Sequence, residues 1–141
     1  MKRVVLDTNV LTAGLRSRNG ASFVILKLIG QQRIKPLVTV SLFLEYEAVL
    51  KRPEQMSAHG LSELQVDQLL AGFLSIAEPI DVHFRWRPQL SDPKDELVLE
   101  AAVNGRAEVM LTHNLRDFEA VQRKFNLGIM RPSRFLELIR S

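Results

Sequence analysis

The sequence predicts an α/β domain with a central parallel sheet, and three observations support this fold class. The run Val4–Leu6 is apolar without polar alternation, which is typical of a parallel strand covered on both faces. Further short strand-like runs occur at 34–40, 80–84, 107–111 and 127–130. Segments of helical periodicity separate these runs, and such alternation calls for right-handed crossovers between parallel strands. We therefore expect four to five strands, with 127–130 as the short fifth.

Helices are placed by apolar spacing and by their end signals. Ser41 is expected to open a helix that stops before Pro53, and residues 54–60 are expected to form a loop. Ser62 and Gln65 have the spacing of a capping box, and Asp92 followed by Pro93 is typical of a helix start. The predicted helices are 10–15, 23–29, 41–50, 61–76, 93–104, one that ends at 125 and one that begins at 132.

Composition favours one globular domain over residues 1–141. The chain is 46% hydrophobic and 25% charged, as in ordinary globular proteins. It has no cysteine, which excludes a disulfide framework and thiolate chemistry. Its apolar runs are too short for a membrane span, and Asp7 interrupts the start too early for a secretory signal. We therefore expect a cytoplasmic protein with no membrane partner.

Charge is distributed unevenly along the chain. Residues 1–52 carry a net +6, residues 53–120 a net −7 and residues 121–141 a net +4. If folding brings the basic ends around the acidic middle, the protein suits a polyanion held over a metal site. Ordinary solvated surface charge explains the same pattern equally well.

Acidic residues recur where strands end or helices begin. Asp7 directly follows the first strand, where α/β proteins gather their chemistry, although Thr8 or Asn9 as a helix cap is the simpler reading. Glu45 and Glu47 flank the apolar stripe of one helix, and periodicity does not choose between them. The remaining positions are Asp92 and Asp95 at a helix start, and Thr112, Asn114 and Asp117 after the fourth strand.

Four carboxylates from four segments repel one another if they converge, unless a cation neutralises them. Oxygen ligands without cysteine favour Mg²⁺ or Mn²⁺ over zinc. Such a site suits phosphodiester hydrolysis, because a divalent ion activates water and stabilises the leaving oxygen.

The order Asp-Thr-Asn, helix Glu, helix-start Asp and Thr-x-Asn-x-x-Asp-Phe resembles the PIN-domain family, and most of all its branch of toxin components. The resemblance covers Val4 to about Pro132. It implies a three-layer α/β/α fold and an endoribonuclease site. By motif match, the catalytic and metal-binding residues are Asp7, Glu45 (favoured over Glu47), Asp95 and Asp117, and the supporting residues are Thr8, Asn9, Asp92, Thr112 and Asn114.

The implied function is Mg²⁺- or Mn²⁺-dependent hydrolysis of single-stranded RNA by the toxin of a type II toxin–antitoxin pair. Relatives further imply a small antitoxin that covers the site with an arginine, and a homodimer with helix 61–76 as a contact surface. Arg16, Arg18, Arg85 and Arg87 are candidate phosphate contacts, and Trp86 is a candidate for base stacking.

Two other functions stay open. One is a non-catalytic module that binds RNA or protein. The other is a phosphatase with Asp7 as covalent nucleophile, although Asn9 stands where such enzymes carry a second Asp. His59, His83 and His113 are interpreted as structural or solvated, with His113 the nearest to the predicted site.

Overall fold

The computed structural model describes residues 1–85 and 89–140, which form five strands, eight α-helices and one 3₁₀ turn at Leu115–Phe118. The strands are β1 Lys2–Leu6, β2 Ile34–Val38, β3 Glu78–Pro79, β4 Val109–Leu111 and β5 Gly128–Met130. The helices are α1 Thr8–Arg16, α2 Ala21–Gly30, α3 Val40–Leu50, α4 Pro53–His59, α5 Glu63–Ile76, α6 Pro93–Asn104, α7 Glu119–Gln122 and α8 Pro132–Arg140. None of these helices is long and apolar enough to cross a membrane.

All strands of the sheet are parallel, in the order β3-β2-β1-β4-β5. The central strand β1 pairs with β2 on one side and with β4 on the other, with Leu6 opposite Leu111. The strand order reverses between β1 and β4. A crevice therefore lies at the carboxyl ends of these two strands, where α/β proteins bind their ligands.

The core confirms that helices cover both faces of the sheet. Val4, Val5 and Leu6 are all fully buried. Successive residues of a strand point to opposite faces, so three buried neighbours require cover on each side. Helix α6 provides part of that cover by packing across β1, β2 and β4. The predicted parallel α/β fold is thus confirmed, with five strands.

Residues 54–60 were expected to form a loop, and this prediction is wrong. Residues 54–59 belong to α4, which spans Pro53–His59, and Gly60 follows it in the left-handed conformation with φ of 73°. No residue of α4 is buried, so the helix leaves no apolar periodicity in the sequence. Proline at the first position and glycine at the end were its only signals.

The third strand was also misplaced. The alternation at 80–84 predicted a strand there, but β3 is the two-residue segment Glu78–Pro79, opposite Leu37 and Val38 of β2. Strand β2 ends at Val38 because Thr39 caps α3 with a side-chain bond of 3.1 Å to the amide of Leu42. The amide of Ile80 still donates to the Val38 carbonyl at 2.8 Å, but further on the side-chain oxygen of Asn104 accepts hydrogen bonds from the amides of His83 and Phe84.

Two helix boundaries differ as well. Helix α3 begins at Val40 behind the Thr39 cap, rather than at Ser41. The helix expected to end at residue 125 is a 3₁₀ turn followed by the four-residue α7.

Candidate active site

Asp7 lies at the carboxyl end of β1, directly before α1. Its amide donates to the carbonyl of Leu111 at 2.9 Å, which anchors the residue to the neighbouring strand β4. Its side chain is buried, with 8% of the residue exposed. Burial raises the pKa of Asp7, while the Thr112 hydroxyl and the backbone amides of Thr8 and Asn9 oppose the rise. The crevice between β1 and β4 therefore holds a carboxylate whose ionised form is poorly solvated.

A small network of polar side chains orients Asp7. The hydroxyl of Thr112, which is fully buried, donates to Asp7 Oδ2 at 2.7 Å. The side-chain amide of Asn9 donates to the same oxygen at 3.2 Å. The backbone amide of Asn114 in turn donates to Thr112 Oγ1 at 3.0 Å. These bonds bring together three residues predicted to support the site, and they link β4 to the turn after β1.

Tyr46 fixes α3 against the end of β1. The residue is fully buried, and its hydroxyl donates to the carbonyl of Leu6 at 2.6 Å. Burial and the nearby charge of Asp7 raise the pKa of Tyr46, so the hydroxyl keeps its proton. Since Leu6 precedes Asp7, this bond sets the position of α3, and thus of Glu45, relative to the crevice.

Packing separates the two glutamates that periodicity left equivalent. Glu45 Oε1 lies 3.9 Å from Nζ of Lys94 at the start of α6, and its side chain is 16% exposed. Glu47 faces the other way and pairs at 3.2 Å with Lys51. Lys51 in turn pairs with Asp67 of α5 at 2.6 Å. Glu45 thus faces the helix that carries Asp95, whereas Glu47 belongs to a surface ion-pair group.

Asp95 lies in the first turn of α6, and its pKa is raised from 3.8 to about 7. Burial is the largest cause, followed by the charges of Asp7, Asp92, Asp117 and Glu96. Asp92 caps α6 by accepting the amide of Lys94 at 2.9 Å. Because these charges act on one another, β1, α6 and the turn after β4 place acidic groups around one cleft.

Asp117 is exposed on the 3₁₀ turn after β4. Its charge raises the pKa of both Asp7 and Asp95. Asn114 directly precedes this turn. Its backbone carbonyl accepts a hydrogen bond of 3.1 Å from the backbone amide of Asp117.

The predicted basic contacts are less defined. Arg16, Arg18 and Arg85 are exposed, while Arg87 and Trp86 lie outside the described residues. His59 has a structural role, because its ring bonds the Leu50 carbonyl at 2.9 Å and the Leu61 amide at 3.0 Å.

Three residues near the site were missed by sequence reasoning. Lys94 lies beside Glu45, Ser22 bonds His113, and Arg131 follows β5 at the edge where Asp7 follows β1. Only Arg131 had a usable signal, namely its place directly after a predicted strand.

The donor set suits a hard divalent cation, because carboxylate oxygens are the ligands that Mg²⁺ and Mn²⁺ prefer. Within the described ranges, no three Asp, Glu or His side chains are already drawn together as metal ligands. The residues that would hold the ion are Asp7, Glu45, Asp95 and Asp117.

Fold and site together define an α/β domain with an acidic cleft where its strand order reverses. The chain belongs to the PIN-domain family, since the profile of the PIN domain matches residues 3–116. This confirms the family that the ordered motifs predicted. PIN domains are generally nucleases that use divalent metal ions. No curated protein matches the chain in sequence.

Solved structures that are similar to this chain include two complexes with DNA. One is the crystal structure of VapBC2 from Rickettsia felis bound to a DNA fragment from its promoter, with 16% identity, a TM-score of 0.59, and 90% of this chain and 96% of that chain covered. The other is FitAB bound to an IR36 DNA fragment, with 16% identity, a TM-score of 0.59, and coverage of 92% and 94%. At this identity the similarity shows a shared fold.

Proposed function

We propose that this protein is a Mg²⁺- or Mn²⁺-dependent endoribonuclease that hydrolyses single-stranded RNA. The observation that carries the proposal is the buried carboxylate of Asp7, which Thr112 holds at 2.7 Å in the crevice between β1 and β4, with the charges of Asp95 and Asp117 nearby. Groups that repel one another and lose solvation are costly to keep ionised unless they bind a cation. Clustered perturbed carboxylates in a cleft are also typical of functional sites.

In this proposal, Asp7, Glu45, Asp95 and Asp117 hold the ion, and Thr112 and Asn9 keep Asp7 oriented. The bound ion would supply an activated water and neutralise charge on the phosphate. Water oxygen forms a bond to phosphorus as the bond from phosphorus to the 3′ oxygen breaks, and the proton ends on that oxygen. The products carry a 3′-hydroxyl and a 5′-phosphate.

We further propose that the protein acts as the toxin of a type II toxin–antitoxin pair. The family resemblance supports this role, as does the fold shared with chains of the VapBC2 and FitAB complexes. The partner would be a small antitoxin that covers the acidic cleft. A homodimer is the proposed assembly, with the exposed side of α5, where Leu64 and Leu74 lie, as its contact surface.

The decisive experiment incubates purified protein with unstructured and structured RNA in Mn²⁺ or in EDTA. We expect cleavage of unstructured RNA in Mn²⁺ only. Asp7→Asn and Asp95→Asn should each lower the rate by more than about 100-fold, because even the loss of a group that only hydrogen-bonds a metal ligand costs roughly 10- to 100-fold. Expression of the same variants in cells should relieve growth arrest in parallel.

Glu45 and Glu47 provide a matched pair on one helix. Glu45→Gln should lose most cleavage, whereas Glu47→Gln should retain it. Cleavage that survives EDTA or both aspartate substitutions would contradict the proposed site. Equal RNA binding by the parent and Asp7→Asn, with no cleavage by either, would instead favour a binding module. A phospho-aspartate trapped on Asp7 would favour the phosphatase.

A further inference from the structure

Basic side chains meet on the β5 side of the acidic cleft. Leu111 of β4 stands opposite Met130 of β5, and the amide of Thr112 donates to the Met130 carbonyl at 3.1 Å. The residues that follow, His113 and Arg131, therefore leave neighbouring strands at the same edge of the sheet. Asp7 leaves β1 at this edge as well, so these two residues flank the carboxylates on one side.

His113 is held in place at two points. Its ring Nε2 lies 2.7 Å from the hydroxyl of Ser22, a residue of the first turn of α2 that is only 3% exposed. Its backbone amide donates to Asn9 Oδ1 at 3.2 Å. The residue is nevertheless exposed, and ring Nδ1 has no hydrogen-bond partner in residues 1–85 or 89–140. The imidazole thus has one fixed nitrogen and one that is available to a ligand.

Two arginines carry charges that act on this imidazole, and one of them, Arg131, directly follows β5, the strand next to β4. Burial is the main reason that the pKa of His113 lies below its ordinary value, and the charges of Arg131 and Arg16 lower it further while that of Asp7 opposes them. Neither guanidinium forms an ion pair or a hydrogen bond with any described residue. By contrast, Arg3 is paired with Glu78, and Arg134 is paired with Glu137. Unpaired guanidinium groups beside a cleft are suited to bind an oxyanion in a bidentate manner.

We propose that Arg131, Arg16 and the Ser22-anchored His113 form a subsite for the RNA phosphate next to the one that is cut. The inference rests on the proposed nuclease function and specifies how its substrate lies. A polynucleotide is favoured over an acidic protein segment because the adjoining cleft is itself proposed to hold a phosphodiester. The backbone then runs from the carboxylates across the ends of β4 and β5.

The test measures binding of a fluorescently labelled single-stranded RNA by anisotropy over a range of KCl concentrations, with Asp7→Asn as the background so that the RNA stays intact. Adding Arg131→Ala or Arg16→Ala should raise Kd roughly tenfold, as expected for loss of a charge-assisted contact. Each should also reduce the slope of log K against log salt by about 0.7, the value for one phosphate contact on a single strand.

Arg33→Ala is the matched control. Arg33 is exposed and precedes β2, at the opposite edge of the sheet. The Arg33→Ala substitution should leave Kd and the salt slope unchanged. Ser22→Ala should weaken binding several-fold and leave the slope unchanged, because the hydroxyl carries no charge and acts by positioning His113. Thermal unfolding of each variant verifies that it is folded.

Two results would overturn the subsite. One is an Arg131→Ala variant that matches Arg33→Ala in both Kd and slope. The other is an acidic peptide of equal charge that competes as well as unlabelled RNA, which would assign the surface to a protein. If Arg131 contributes to RNA binding but the parent protein does not cleave RNA in Mn²⁺, the nuclease proposal fails and the binding site stands.

Discussion

At the residue scale, Asp95 connects pH to metal binding. Its pKa of about 7 lies above the ordinary value of 3.8. The folded chain therefore keeps a proton that the unfolded chain releases, and the free energy of unfolding falls as pH rises from about 4 to about 7. A divalent cation offsets the free-energy cost of ionising Asp95 in the folded chain, since it binds the ionised form.

We accordingly expect affinity for Mn²⁺ to increase about tenfold between pH 6 and pH 8, the change in the ionised fraction of a group that titrates near 7. Isothermal titration calorimetry in two buffers of different ionisation enthalpy measures both the affinity and the proton released. Asp95→Asn should bind Mn²⁺ more weakly, and its affinity should not increase with pH. Glu47→Gln should retain the increase in affinity. Equal affinity at both pH values would contradict this prediction.

Individual site residues were predictable where sequence order alone fixed their position. Asp7 follows β1 and Asp95 lies in the first turn of α6, as the sequence order predicted, while their catalytic role remains a proposal. Glu45 could not be separated from Glu47 by periodicity, because the difference between them depends on contacts with Lys94 of α6 and with the Lys51–Asp67 pair to α5. Ser22 gave no signal at all, since its partner His113 is 91 residues away.

At the element scale, the attachment of α3 to β1 depends on one buried hydrogen bond. Tyr46→Phe leaves the Leu6 carbonyl without its donor, which should cost about 1–2 kcal/mol of unfolding free energy. Because that carbonyl precedes Asp7, we also expect slower RNA cleavage. Urea denaturation and the cleavage assay measure the two effects.

Ser62→Ala is the comparison for this variant. It removes the capping box of α5, in which Ser62 and Gln65 exchange hydrogen bonds of 2.9 and 3.1 Å. The loss should be similar, about 1 kcal/mol. Cleavage should be unchanged, since Ser62 and Gln65 bond each other at the start of α5 and neither contacts Asp7. If both variants lose the same activity, the role assigned to Tyr46 is wrong.

Helices that bury an apolar face or carry a cap were predictable, as α5 and α6 show. Helix α4 was not, because it buries no residue. The location of β3 depends on where β2 ends, and β2 ends because Thr39 caps the next helix. Such boundaries are set by neighbouring elements, so local alternation in the sequence misplaced the strand.

At the scale of the whole molecule, the candidate ligands come from residues 7, 45, 95 and 117, so a bound ion would connect segments from most of the chain. Ligand binding to the folded state alone should stabilise it by about 2.7 kcal/mol at a concentration 100 times Kd. We expect Mn²⁺ to raise Tm by several degrees in differential scanning fluorimetry. Asp7→Asn should lose the shift and Glu47→Gln should keep it. An undiminished shift in Asp7→Asn would place the ion elsewhere.

The charge pattern of the sequence also has a counterpart in the fold. Arg16 belongs to the basic first third of the chain and Arg131 to its basic end, and both act on His113 beside the acidic residues of the middle. The net charges of the segments suggested this arrangement, whereas only the register of β4 and β5 specified which residues meet.

The strand order also determines when the cleft can form during synthesis. Strand β1 is made first, yet its partner β4 follows about a hundred residues later, and Asp117 later still. A chain that is still being synthesised carries Asp7 on a strand whose β4 side is unpaired. The crevice beside Asp7 can form only after β4 pairs with β1. A fragment that ends before β4 lacks both that strand and Asp117, so we expect it to have none of the proposed nuclease activity.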